Sequence, residues 1–330
     1  MNIVFFNKST KFHNSKFIGL LLIILLIHEV LPAQKLFTRE IGIQSDNDTY
    51  VSLSEDKYYT NGLMFFYRFI PNQSKPDIEK VVVEFRLGSK MYTPSSANKP
   101  DITDHDRPFA GYLFANAQIS KFYKNESMFR LSGQVGILGP ASGVGAFQEL
   151  MHNFIGWYSV KGWEHQISNA LGLNISGMYS LKLTNYLSKQ ADINLYSLAN
   201  LGTFQTNFAI GFWNRFSFIQ LNEVYESNLF GASIVKDRKV KSDRKGDLFF
   251  FFKPQLEYHL YDASIQGGLF NDKSPLTFDI EPFQFTFEFG LMFQFERANI
   301  WYSVTLQSKD VKNDLVERYA WGSLKLSWML

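Results

Sequence analysis

The chain has 330 residues, 33 Lys plus Arg against 31 Asp plus Glu, a formal net charge of +2 and no cysteine. Near-neutral charge gives no basis for a nucleic-acid partner, and the lack of Cys excludes disulfide staples, thiolate metal sites and a Cys nucleophile. Aromatic residues make up 17% of the chain, with 33 Phe and 16 Tyr, yet mean hydropathy is only -0.14, so apolar residues are diluted by polar ones rather than gathered into runs.

The N-terminus reads as an export signal. Lys8, Lys11 and Lys16 precede the apolar run from Phe17 to Ile27, and Leu31-Pro32-Ala33-Gln34 offers a small residue for cleavage. A basic region, a short apolar region and a small-residue exit are the parts of a secretory signal. Residues 1–33 are therefore expected to be removed, leaving 34–330 as a single domain. Beyond this segment no stretch approaches the ~18 apolar residues of a spanning helix.

Past the signal the dominant pattern has period two. Phe283, Phe285, Phe287, Phe289, Leu291, Phe293 and Phe295 alternate with Gln284, Thr286, Glu288, Gly290, Met292, Gln294 and Glu296. Side chains alternate faces along a strand, so one face is apolar and the other mostly polar. The same alternation runs through Leu171–Thr184, Phe129–Ile137, Ile300–Gln307 and the C-terminal Leu324–Leu330, with similar segments near 38–46, 60–70, 79–88, 110–122, 189–201, 204–216 and 248–260. About twelve strands result. Many reach ten residues, the length of a tilted bilayer crossing, whereas strands of soluble sandwiches average ~5–6. The expected fold is all-β: a transmembrane antiparallel β-barrel with its apolar face toward lipid and a polar lumen. Among the connections, 217–247 carries Lys236, Arg238, Lys239, Lys241, Arg244 and Lys245. It reads either as a solvated outer loop or as a partner for the phosphates of surface glycolipid.

Polar clusters punctuate the strand ends. Asp46-Asn47-Asp48 closes the first strand and Tyr59-Thr60-Asn61-Gly62 opens the second. Hard oxygens this close suit Ca²⁺, although Asp and Asn also form turns readily. Gln148 and His152 are four apart, so a short helix would carry both on one face. Asp106 and Arg107 read as a structural ion pair, His165 as a loop-packing residue and His259 as lining the lumen. No G-x-S-x-G elbow is present, which weighs against a serine lipase.

The motifs S-D-N-D, Y-Y-T-N-G, Y-T-P-S-S-A-N-K, D-R-P-F-A-G-Y, G-P-A-S-G and Q-E-L-M-H occur in this order between residues 45 and 152. As a group they resemble the outer-membrane lipid A 3′-O-deacylases, Ca²⁺-using barrels of twelve strands. The resemblance covers the chain from about residue 38 and is strongest between 40 and 170. It implies that His152 is the catalytic histidine, that Asn47 and Asp48 are its Asn–Asp pair, and that Thr60 and Lys99 are its hydroxyl and lysine residues. Asp48, Asn47 and Thr60 would hold the metal. The implied chemistry is similar to that of secreted phospholipase A2, in which a histidine takes a proton from water while Ca²⁺ and nearby donors steady the oxyanion. The family's acidic residue shortly after the histidine falls on Tyr158, and Glu149 or Glu164 are the nearby acids that could substitute.

The expected function is an ester hydrolase of the outer membrane of a Gram-negative-type envelope. It would remove an acyl chain from lipid A or lipopolysaccharide and act as a monomer among outer-membrane lipids. Two other readings stand: a catalytically silent barrel serving as pore or scaffold, and a hydrolase of glycerophospholipids.

Overall fold

In the computed structural model, residues 37–51, 57–72, 77–95, 97–156, 159–183, 189–235 and 246–330 are described. The expected signal, Tyr158 and the basic run 236–245 lie outside them. Twelve antiparallel strands form a closed barrel in which each strand pairs with its sequence neighbours and the first pairs with the last. They are β1 (Arg39–Asn47), β2 (Tyr58–Phe69), β3 (Ile78–Thr93), β4 (Ala110–Tyr123), β5 (Met128–Leu138) and β6 (Ala170–Lys182), followed by β7 (Ala191–Gly202), β8 (Gln205–Phe216), β9 (Gly246–Asp262), β10 (Phe283–Phe295), β11 (Ala298–Ser308) and β12 (Arg318–Met329). Closure removes the unpaired edges that a bilayer could not satisfy.

The two faces follow the alternation read from the sequence. On β10, Phe283, Phe285, Phe289, Leu291, Phe293 and Phe295 are exposed on the outer wall, while Gln284, Thr286 and Glu288 line the lumen. Several buried polar and charged side chains in the lumen are paired. Arg68 of β2 bridges Glu40 of β1 and Glu84 of β3, and His259 meets Glu257 at 3.0 Å.

β1 starts and β12 ends at one end of the barrel, where the Leu330 amide donates to the Arg39 carbonyl. The short turns 124–127 and 296–297 share that end, which is the periplasmic end of an outer-membrane barrel. The long connections 94–109, 139–169 and 263–282 lie at the other, outer end. The connection from β8 to β9 departs from expectation. It joins the periplasmic ends of its strands, so the reading of 217–247 as an outer loop, whether solvated or meeting surface glycolipid, is corrected.

The described part of that connection turns inward. Leu221, Val224, Leu229, Phe230, Ala232 and Ile234 pack with lumen-facing Phe249, Phe251, Met292 and Trp301 in one apolar cluster. Its backbone carbonyls are met by the barrel, with Arg130 donating to Phe230 O and Lys80 to Ala232 O. Gly231 has φ +76°, and a Cβ there would lie 2.8 Å from the Arg68 guanidinium carbon, so glycine permits the approach. At the outer end, Tyr58, Ile265, Ile280, Val311 and Val316 form a second apolar cap. Arg107 ties this cap down by donating to Ser264 Oγ at 2.9 Å and pairing with Asp310 at 3.5 Å. The expected Asp106–Arg107 pair is therefore replaced: Asp106 instead accepts from the Ser95 amide and hydroxyl. A polar cavity of about 620 Å³ lies in the lumen.

Candidate active site

The site residues are placed by strand alternation at the outer rim. Gln44 and Asp46 line the lumen, so Asn47 turns to the outer wall. On β3, Lys90 and Tyr92 line the lumen, which turns Met91 and Thr93 outward. Outside a membrane barrel Met91 would ordinarily face lipid. Here it is buried, packed with Ala97, Phe109, Val144, Val160 and Trp163. Something covers the outer wall at this point.

The cover is the connection between β5 and β6, which holds helix α1 (Val144–Ile155). The helix packs on β3 and β4. Gly111 of β4 makes the close approach possible, because a Cβ at that position would lie 2.6 Å from Ser142 Oγ and 2.7 Å from Val144 Cβ. Backbone bonds from Gly139 N to Gly111 O (2.8 Å) and from Ile167 N to Phe109 O (2.9 Å) fasten the two ends of the connection to β4 and the residue before it.

As the spacing predicted, Gln148 and His152 share one face of α1. Both are buried, at 3% and 6% exposure, on the helix that lies against the wall. Gln148 Oε1 accepts from the indole N–H of Trp163 at 2.8 Å, so a side chain of the same connection fixes the glutamine one turn before His152. Trp163 was not singled out by sequence reasoning, although its place in the same G-W-E-H stretch as His165 was a usable signal.

Asn47 and Asp48 sit where β1 ends. Asn47 Oδ1 caps the 48–50 turn, accepting from the Thr49 amide at 2.8 Å and from its hydroxyl. Asp48 is buried and its Oδ2 accepts from the Lys57 amide at 2.9 Å. Across the β1–β2 pairing Asn47 faces Asn61. Thr60 is the extra residue of a bulge where β2 meets β3, a device that re-aims a side chain. Its hydroxyl lies 2.7 Å from that of Thr93. Thr93 is fully buried and is the hydroxyl that sequence reasoning missed. The buried threonine pair and the Asn47–Asp48 turn therefore close adjacent strands at the outer rim, β1 beside β2 beside β3, and α1 packs on β3.

Lys99 stands apart from this buried group. Its side chain is 53% exposed and its ammonium lies 3.7 Å from Asp104. Its backbone carbonyl meets His105 Nε2 at 2.9 Å, and its loop touches the α1 connection where Lys161 N donates to Ala97 O. Glu149 is exposed on α1, and the exposed Glu164 accepts from the Gly162 amide. His165 lies tilted beside His105, ring centres 6.2 Å apart. Among the described residues no group of three or more His, Asp or Glu side chains is placed to hold a metal; the hard oxygens available are one carboxylate, an amide and two hydroxyls.

A closed barrel with an apolar outer belt and a polar, partly buried cluster on its outer rim defines an outer-membrane β-barrel protein. The chain belongs to the family of outer membrane protein LpxR, whose model matches residues 20–330. Among solved structures, LpxR from Salmonella typhimurium is similar at 19% identity and a TM-score of 0.71, with 88% of this chain and all of that one covered. The β domain of the Bordetella autotransporter BrkA is similar at 7% identity and a TM-score of 0.49, over 90% of this chain and all of that one. A comparison with curated protein sequences gives no match. Outer-membrane location, the twelve-stranded barrel and the kinship read from the ordered motifs all hold.

Proposed function

We propose that this chain hydrolyses an acyl ester of lipid A at the outer leaflet, with His152 as the general base. The carrying observation is the burial of His152 and Gln148 on one face of α1, the helix that packs on the outer wall of the barrel. The hydroxyl and Asn–Asp residues of the same motif set close neighbouring strands at that rim. A lipid ester lies at the boundary between acyl chains and headgroups, which is where an outer-rim site would meet it.

In this reading neutral His152 takes the proton from a water that attacks the ester carbonyl, and later returns a proton to the leaving alcohol. Gln148, held by Trp163, orients the imidazole or that water. Lys99 is exposed and on a long stem, so its ammonium donates to the developing oxyanion or holds a substrate phosphate. The hard oxygens of Asp48, Thr60 and Asn47 suit Ca²⁺ by type. Asp48 supplies the charge, and Asn47 joins only by releasing its bonds to Thr49. Bound there, Ca²⁺ supplies Lewis-acid polarisation of the ester carbonyl. With Tyr158 where the family has an acid, a weak, millimolar-range requirement fits the low charge of the set. The acting unit is a single barrel.

The reading as a pore is disfavoured by the apolar cluster that the β8–β9 connection places inside the lumen. A glycerophospholipid substrate is separated from lipid A by preference. Mass spectrometry of lipid A from cells with and without the protein tests the proposal. Loss of one acyl chain only in cells that carry it is expected, and identical lipid A with altered glycerophospholipids would replace the substrate.

A further inference from the structure

Helix α1 has a third face that the hydrolytic reading does not use. Phe147, Leu150, Met151 and Phe154 are exposed at 43, 65, 36 and 82%. At 100° per residue they fall within roughly 100° of arc, a continuous apolar stripe. Gln148 and His152 occupy a separate buried arc toward the wall, and the exposed Glu149 and Asn153 occupy a polar arc between the two on the far side. A helix exposed to water alone would turn its polar residues outward. This one shows solvent two opposite chemistries side by side.

The helix that carries the stripe starts beside the lipid-facing belt. The helix begins against Gly111, and two residues further along β4 Leu113 is exposed on the outer wall at 41%. Leu87 of β3 and Ile137 of β5, the neighbouring strands, are exposed at 55% and 42%. Every one of these strand residues faces acyl chains in an outer-membrane barrel. A helix fixed to the outside of that wall, with three large apolar residues and a methionine free, meets the same surroundings.

We propose that the stripe Phe147–Leu150–Met151–Phe154 is immersed among the acyl chains of the outer leaflet, with Glu149 and Asn153 at the headgroup level. The partner is a lipid surface rather than a protein. Immersed in this way, α1 is an interfacial helix. This placement rests on outer-membrane location alone; only its consequence, that His152 is held at the depth of an ester, rests on the hydrolytic reading.

The absence of cysteine makes a direct test available. Leu150→Cys, Phe154→Cys, Glu149→Cys and Asn153→Cys are each labelled with a nitroxide and reconstituted in phosphatidylcholine–phosphatidylglycerol vesicles, with folding verified by heat-modifiable gel mobility. Collision with oxygen, which concentrates in the acyl region, is compared with collision with a water-soluble nickel chelate. The ratio of oxygen to nickel accessibility is expected to be several-fold higher at 150 and 154 than at 149 and 153. Equal ratios at all four sites would overturn the proposal, and so would low accessibility to both probes at 150 and 154, the signature of a second protein covering the stripe. The readout needs no substrate, so it stands whether or not the barrel proves to be a deacylase.

Discussion

The indole N–H of Trp163 donates to Gln148 Oε1 at 2.8 Å, one helical turn before His152. That bond ties the end of the β5–β6 connection to the helix it carries, and it selects the glutamine rotamer that shares the histidine's face. Trp163→Phe keeps most of the packing volume and removes the donor. A hydrogen bond is worth ~0.5–1.5 kcal/mol net, so turnover is expected to fall by roughly 2- to 13-fold, and Gln148→Ala by a similar amount. Steady-state kinetics on folded barrel checks both.

Gly111 is the contact on which α1 is seated. A Cβ there would crowd Ser142 Oγ and Val144 Cβ, at 2.6 and 2.7 Å, and a Cβ is bonded directly to the helix backbone, so it cannot swing away as the end of a long side chain can. Gly111→Ala is expected to lift the helix start and to lower activity by an order of magnitude or more, since misplacement of ~1 Å can cost ~10²-fold. The barrel itself should keep its heat-modifiable mobility.

The assignment of faces predicts unequal tolerance along β10. Phe289→Arg places a charge on the lipid side and should cost ~2–4 kcal/mol if it lies near the midplane. Thr286→Ala, on the lumen side, should be mild, losing hydroxyl bonds to Glu257 and Gln307. Urea unfolding of both variants in vesicles gives the comparison.

Much of this architecture was legible beforehand because period-two alternation constrains every residue of a strand. The Phe face of β10 and the helical pairing of Gln148 with His152 both follow from spacing alone. The inward course of 217–235 was not legible. Its apolar residues, Leu221 to Ile234, have no periodicity, and the basic run that follows drew the reading toward an exposed loop. The partner of Arg107 was also hidden, because Asp310 is 203 residues away and no local pattern announces a contact of that range. Nor could spacing reveal that the polar residues at the outer rim are covered and buried. That depends on the bulge at Thr60 and on a helix folding back outside the barrel.

Metal dependence is expected to follow Asp48. Chelation should abolish hydrolysis and added Ca²⁺ should restore it. Asp48→Asn removes the only full charge among the proposed ligands and should raise the Ca²⁺ concentration needed for half-maximal activity by at least tenfold. Full activity in chelator, unaffected by added metal, would show that the oxygens at the rim serve only as turn and cap.

The central claim is that His152 is the base, and turnover of folded His152→Asn barrel on lipid A tests it most directly. Asparagine approximates the size and hydrogen-bonding reach of the imidazole but cannot accept the proton from water. General-base catalysis typically contributes ~10²–10⁴-fold, so acyl release, followed by mass spectrometry on material verified as folded by heat-modifiable mobility, should fall by at least that order. Wild-type turnover by the folded variant would contradict the account, and would direct the search toward a hydroxyl nucleophile such as Thr60 or Ser142.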